Sequence, residues 1–388
     1  MSDADDLQPG PTGGALLAAF DELAPRLRRS PDLEAPDLVA ADASDRLILA
    51  ETLPLGDDVV VIGDRYGGLT LPILVADPSA RVRVHQDPLT SERALAENAE
   101  RLGIELTGRV TWHDLGASLT RDATTVLLQL PRGLDALDEI ARVVAEAADP
   151  SARVIAGGRV KHMTRTMNEV LGMHFASVRA SRGVGKSRAL HAAEPVRGAG
   201  EPWPRRRHHA DVGLELVAHG AAFAGTDLDI GTRFLLTHLE DMPHAESVID
   251  LGCGTGAISA SYARARPGAR LIATDRSAAA VSSARATMAA NGVTDRVQVV
   301  RDDGLAAQPD GSHDLVLLNP PFHSGNAVTD RIAPRLFAEA ARALRPGGEL
   351  WTVWNSHLRY RPQLERLVGP TRQIARNSTF TITASTRR

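Results

Sequence analysis

The sequence predicts an α/β protein built as two tandem doubly wound sheets, the second a duplicate of the first, and three observations carry that reading. The chain has 388 residues, 43% hydrophobic and 24% charged; at about 100–200 residues per domain, that length asks for two globular cores. The apolar run Val59-Val60-Val61-Ile62 ends in a glycine turn at Gly63, and a second run around Val248 ends in another from Gly252 to Gly256. Such a run stopping at glycine marks a buried strand and its turn. A shift of 189 residues superposes Gly63 on Gly252, Gly67 on Gly256, Pro78 on Pro267, Ala80 on Ala269, Arg81 on Arg270 and Gly103 on Gly292, without a gap.

Each copy reads strand, glycine turn, helix, strand, helix, and ligands of such sheets bind at the carboxyl ends of the strands. In the second copy the strand Ser247-Val248-Ile249 leads into the turn, and a helix runs from Ala257 to Ala265. The strands Leu271-Ile272-Ala273-Thr274 and Val297-Gln298-Val299-Val300 follow. Farther on, Val126-Leu127-Leu128-Gln129-Leu130-Pro131-Arg132 matches Val316-Leu317-Leu318-Asn319-Pro320-Pro321-Phe322 after one further residue of shift. Gly198, Gly200 and the run Pro202-Trp203-Pro204-Arg205-Arg206-Arg207-His208-His209 predict a non-helical basic linker over 197–210, between a domain over 1–196 and one over 211–388.

Charge is unevenly spread. The formal net charge is -4, yet 151–210 holds twelve basic residues against Glu169, Glu194 and Glu201, which leaves -13 on the remainder. Local positive charge attracts polyanions, so Arg205, Arg206 and Arg207 are candidate RNA contacts. Gly183-Val184-Gly185-Lys186-Ser187 resembles the end of a phosphate-binding loop but fails on spacing, since position 180 is alanine. One cysteine, Cys253, excludes an internal disulfide framework and fits a reducing, cytoplasmic setting. Asp3, Asp5 and Asp6 stand where an export signal needs basic residues, and no stretch approaches the roughly 20 apolar residues of a membrane span. No cysteine and histidine cluster suggests a metal.

The differences between the copies indicate which one works. Gly254 is replaced by Arg65, Asp275 by Gln86, and Asn319-Pro-Pro-Phe by Gln129-Leu-Pro-Arg, so the first copy is degenerate and free to bind substrate. In the second, Asp250-Leu-Gly252-Cys-Gly254-Thr-Gly256 places an acid inside the glycine turn. That acid would repel a diphosphate and suits a cationic ligand, the sulfonium and amino acid of S-adenosylmethionine. Asp275 ends the second strand, where a carboxylate takes ribose hydroxyls. Asp302 and Asp303 end the third, where a side chain can bond adenine, and Asp303 is preferred.

Asn319-Pro320-Pro321-Phe322 ends the fourth strand. An exocyclic amine is a poor nucleophile because its lone pair is delocalised into the ring. The Asn319 side chain and the Pro320 carbonyl can accept both its N–H groups, and Phe322 can stack on the base. His323 reads as a positioning residue. Together these residues resemble the class I S-adenosylmethionine-dependent methyltransferases of the N-P-P-[FY] type. More narrowly, they resemble the bacterial ribosomal RNA guanine-N2 methyltransferases of small-subunit type C and large-subunit type G. The likeness is specific at four places: Phe223 through Leu236, the glycine turn, Asn319-Pro-Pro-Phe-His-Ser-Gly, and Gly347 through Tyr360. It implies two Rossmann-like domains with a degenerate N-terminal one, Phe223, Gly231 and Thr232 near the cofactor, and transfer of a methyl group to N2 of guanine in ribosomal RNA or a ribosomal particle. It implies no metal or membrane, and a monomer is expected. The same tetrapeptide also serves adenine N6 and protein glutamine, and a silent RNA-binding or assembly factor is the alternative outside enzymes.

Overall fold

The computed structural model describes residues 11–35, 38–56, 58–321 and 329–388. It divides into two compact units that meet in sequence between Glu201 and Pro202.

In the first unit, α1 (Pro11–Leu23) and α2 (Ala43–Thr52) precede β1 (Val59–Ile62), α3 (Thr70–Ala76), β2 (Val82–His85), α4 (Leu89–Leu102), β3 (Val110–Trp112), α5 (Ala117–Thr120), β4 (Thr125–Gln129), α6 (Leu134–Ala147), β5 (Arg153–Arg159), α7 (Thr166–His174), β6 (Phe175–Ala180) and β7 (Ser187–Pro195). The sheet order is β3-β2-β1-β4-β5-β7-β6, parallel from β3 to β5 and antiparallel through β7 and β6. Period-two alternation sends Val60, Ile62, Val126 and Leu128 into one core with Leu137 and Val144 of α6. Val59, Val61 and Leu127 enter another with Leu16, Ile48, Leu71 and Leu95. Both faces of the central strands are buried, which is why they read as unbroken apolar runs.

The second unit opens with β8 (Arg205–His209) and β9 (Leu214–Ala218). It continues through α8 (Ile230–Leu236), β10 (Ser247–Leu251), α9 (Ala257–Ala265), β11 (Arg270–Asp275), α10 (Ala278–Ala290), β12 (Val297–Arg301), β13 (His313–Leu318), α11 (Thr329–Ala343), β14 (Leu344–Asn355), α12 (Arg361–Leu367), β15 (Thr371–Arg376) and β16 (Phe380–Thr386). Its order, β12-β11-β10-β13-β14-β16-β15, repeats that of the first sheet strand for strand. The duplication read from spaced glycines is therefore a duplication of topology.

The expected linker is corrected in part. Arg205–His209 forms a strand that pairs antiparallel with β9, from Arg205 opposite Ala218 to His209 opposite Leu214. Pro202 and Pro204 lie before this strand, where the ladder asks no N–H of them. The other edge of β9 is closed by side chains one helical turn apart on α10. Ser283 Oγ accepts from the His219 N–H at 2.9 Å, Thr287 Oγ1 from the Val217 N–H at 3.1 Å and Asn291 Oδ1 from the Glu215 N–H at 3.1 Å. The segment 183–187 is the turn between β6 and β7, with Val184 and Ser187 exchanging backbone hydrogen bonds of 2.9 Å. It leads into a strand and offers no helix N-terminus to a phosphate.

Candidate active site

The glycine turn after β10 is held to the neighbouring strand. The Gly252 and Cys253 N–H groups donate to the Thr274 carbonyl at 2.8 and 2.9 Å. Gly252, Gly254 and Gly256 all take left-handed φ, at 71°, 53° and 82°, where a Cβ is disfavoured. Their surroundings separate them. A methyl group on Gly252 or Gly254 would meet no atom within 4 Å, whereas one on Gly256 would meet Met288 at 2.6 Å and Ala284 at 3.1 Å. Gly256 thus lets α9 and α10 pack, and the other two leave room for a ligand.

Asp250 is completely buried. Its Oδ2 accepts from the Ser259 N–H at 3.0 Å and the Ser259 hydroxyl at 2.6 Å, while its Oδ1 is buried without a partner among the described residues. Burial pushes its carboxyl up to about 6, opposed by the Ser259 bonds and reinforced by the charge of Asp275. An unanswered carboxylate oxygen beneath open glycines fits a cationic ligand. Asp275 accepts the Gly254 N–H on Oδ2 at 3.0 Å and the Ser277 N–H on Oδ1 at 2.9 Å. Asp302 and Asp303 follow β12. The Asp302 carboxylate closes its own turn, accepting from the N–H groups of Asp303 at 2.8 Å and Ala307 at 2.9 Å. The Asp303 carboxylate lies 2.8 Å from the Arg335 guanidinium. Cys253 is buried, and burial first, then Asp275 and Asp250, raises its thiol well above the ordinary range. It is a small residue in a tight turn.

The end of β13 carries the most constrained side chain of the site. Asn319 Nδ2 donates to Asp229 Oδ2 and to Thr232 Oγ1, each at 2.8 Å. A carboxylate only accepts, so Asp229 fixes which end of the amide faces it. The Asn319 Oδ1 is thereby turned the other way, buried and without a partner among the described residues. Asp229 is itself locked as the cap of α8, accepting the Thr232 N–H at 2.9 Å. Gly231 sits against this cluster: a methyl group there would lie 3.1 Å from Asp229, 3.3 Å from Phe380 and 3.5 Å from Asn319 Oδ1. Gly231 and Thr232, expected near the cofactor, are placed against Asn319. Asp229 was missed by sequence reasoning, although an Asp-X-Gly-Thr start to a helix was its visible signal.

Of the remaining expected residues, Pro320 is buried and Pro321 exposed beside Asn319. Phe223 is 65% exposed. Ile230, not singled out from the sequence, follows Asp229 and is 72% exposed, an unusual setting for so apolar a residue. Phe322 and His323 lie outside the described residues. On β8, Arg205 stacks over the Trp203 ring at 4.0 Å, Arg207 pairs with Asp227, and Arg206 is exposed. No group of side chains suited to a metal ion occurs among the described residues, and no described helix is long and apolar enough to cross a membrane.

A doubly wound sheet with an open glycine turn, an acid ending its second strand and an oriented Asn-Pro-Pro ending its fourth defines a class I methyltransferase domain. Comparison with known proteins agrees. Residues 213–384 match the Methyltransferase small domain and residues 18–195 the RLMG N-terminal domain. The ribosomal RNA large subunit methyltransferase G of Streptomyces coelicolor is 37% identical over 92% of this chain and 96% of its own length. The protein of the same name from Stutzerimonas stutzeri is 36% identical over 92% and 96%. A solved T. thermophilus 16S rRNA N2 methyltransferase, in complex with AdoMet and guanosine, shares the fold at a TM-score of 0.70 and 20% identity, covering 95% of this chain and 99% of that one. The chain belongs to the ribosomal RNA large subunit methyltransferase G family, and it is a methyltransferase.

Proposed function

We propose that this chain is a cytoplasmic, monomeric enzyme that methylates the exocyclic N2 of a guanine in ribosomal RNA. The observation that carries the reading is the Oδ1 of Asn319, buried, without a partner among the described residues, and fixed as the free end of the amide by the bonds of Nδ2 to Asp229 and Thr232. An acceptor held in place before the substrate arrives suits an amine that must give up both N–H groups to acceptors so that its lone pair localises. The Pro320 carbonyl is the second acceptor. Phe322 stacks on the base. Because Asn319 cannot rotate without breaking two bonds, little is lost in ordering it when the amine docks.

S-adenosylmethionine, when bound, supplies the electrophilic methyl group. Gly252 and Gly254 leave the room, Asp275 takes the ribose hydroxyls, Asp303 with Asp302 borders the adenine, and Asp250 offers its free oxygen to the positive charge. Methyl transfer in line needs no strong base, so positioning supplies most of the rate. Arg205, Arg206 and Arg207 contribute to holding RNA.

Nucleoside mass spectrometry of ribosomal RNA from a strain lacking the gene should show the loss of N2-methylguanosine. RNA with inosine at the target keeps the shape of guanine without its 2-amino group; it should bind and stay unmethylated. N6-methyladenosine, methylated glutamine or methylation of inosine would defeat the guanine assignment, and no methylation of any of these would leave a binding protein.

A further inference from the structure

The two sheets present opposite charge at the same edge. In the second unit the carboxyl edge carries Asp250, Asp275, Asp302 and Asp303, with Gly254 open between them. At the matching positions the first unit has Val61 for Asp250, Arg65 for Gly254, Gln86 for Asp275, His113 for Asp302 and Arg132 for Phe322, and it keeps one acid, Asp114 for Asp303. The edge gains more basic groups from the chain that follows β5: Arg159, the last residue of that strand, then Lys161, His162 and Arg165. Lys186 joins them, since its carbonyl accepts the Val160 N–H at 2.9 Å.

These groups face solvent and one another. Arg65, Arg132, Lys161, Arg165 and Lys186 are exposed, and none of them forms an ion pair among the described residues. Burial, then the charges of Arg132, Lys161, Arg65 and Arg159, holds the His162 imidazole below its usual value, so the four cations share one neighbourhood. The carboxylates beneath them are occupied. Asp64 accepts the Leu69 and Thr70 N–H groups at 2.7 and 2.8 Å, Asp45 accepts from Gln129, and Asp42 accepts the Ser44 N–H at 2.7 Å and lies 3.4 Å from Arg159. The five exposed cations outnumber the acids of the same edge, Asp87 after β2, Asp114 after β3 and Asp135 at the start of α6. Like charges clustered in this way repel, and a polyanion relieves that repulsion.

We infer that the carboxyl edge of the first sheet, where the second holds its cofactor, is a contact surface for the phosphate backbone of RNA, gripped by Arg65, Arg132, Lys161 and Lys186. The inference rests on the reading of the enzyme as acting on RNA. Phosphate contacts need charge at roughly the right spacing and little shape, which is what an edge freed from cofactor binding can acquire one substitution at a time.

The test is the full chain with Arg65→Ala, Arg132→Ala and Lys161→Ala together, measured against a ribosomal RNA fragment that the wild type methylates. The slope of log affinity against log salt should become shallower by about 2 to 3, since each phosphate no longer neutralised removes roughly 0.7–0.9. The KM for RNA should rise while kcat at saturating RNA and S-adenosylmethionine affinity stay unchanged. Arg81→Ala with Arg121→Ala, at the opposite edge of the sheet, should leave the slope alone. Arg65→Lys with Arg132→Lys should keep the wild-type slope. A triple variant with the wild-type slope, or an equal loss in the opposite-edge pair, overturns the inference while leaving the enzyme's function standing. A wild type that neither binds nor methylates RNA overturns the functional reading itself.

Discussion

The two copies hold nearly the same hydrogen bonds with different residues. In the second, the Gly254 N–H donates to Asp275 at 3.0 Å; in the first, the Arg65 N–H donates to Gln86 at 3.0 Å. Asp250 receives the start of α9 through Ser259, and Asp64 receives the start of α3 through Leu69 and Thr70. Asn319 bonds Asp229 before α8, and Gln129 bonds Asp45 in α2. The buried acids at the two glycine turns differ in spare capacity. Both oxygens of Asp64 are spent on the helix, whereas Asp250 keeps one unanswered among the described residues, and Arg65 projects a long side chain where Gly254 projects none. Scaffolding bonds are needed to fold and were rebuilt from new residues; ligand-facing acceptors are costly when buried and idle, and they went.

The sharpest way to break this comparison is to give the second copy the first copy's residue. Gly254→Arg should abolish measurable S-adenosylmethionine binding at a cost of only about 1 kcal/mol in stability, the strain that Arg65 already carries on that backbone at φ 62°. Calorimetry that still detects the wild-type site in this variant would mean the glycine does not border the cofactor.

Asn319→Ala should cut methyl transfer by about a hundredfold or more at unchanged cofactor affinity, as for a positioned acceptor acting in the transition state. Gln129→Ala should have no effect on rate. Asp229→Asn would set two amides face to face and free Asn319 to turn its oxygen inward, so kcat should fall by about tenfold with the KM for cofactor retained. Equal losses from Asn319 and Gln129 variants would erase the distinction between working and vestigial copies.

A third test uses the buried acid of the first copy. Burial pushes the Asp45 carboxyl up to about 7 against the pull of the Asp42 N–H, with Asp64 and Asp42 adding to the rise. An acid raised in the folded state binds its proton more tightly there than when unfolded, so stability is fullest below its ordinary value of 3.8 and is lost as pH rises from about 4 to about 7. Asp45→Asn, with Gln129 turning its amide to accept, should flatten that part of the melting-temperature profile. An identical profile in variant and wild type counts against the buried acid as its source.

The smallest effect is expected from Arg65→Gly. Relieving a side chain at left-handed φ should stabilise the first unit by about 1 kcal/mol, read as an increase in denaturation midpoint. It should not create a second cofactor site, because Gln86 still stands where Asp275 would. Two sites by calorimetry would show that one residue suffices.

Much of this was legible in the chain. The spacing of Gly63, Gly67 and Gly103 against their later partners determined two copies of one topology, since left-handed turns and close packing tolerate few other residues. The apolar runs determined the central strands, and Asp250, Asp275 and Asn319 stood at strand ends because local patterning sets where strands stop. Local patterning is blind to which atoms remain unpaired. Only the folded chain distinguished Gly254, open to a ligand, from Gly256, pressed against Met288. Tertiary packing also closed the turn of Asp302 on itself, paired Asp303 with Arg335, made the basic linker a strand with Arg207 tied to Asp227, and set Asp229 and Thr232 against Asn319 from 90 and 87 residues away. Sequence determines what a residue can donate or accept. Which of those bonds are already made, and so which are left for a substrate, is decided by neighbours that the chain brings together only on folding.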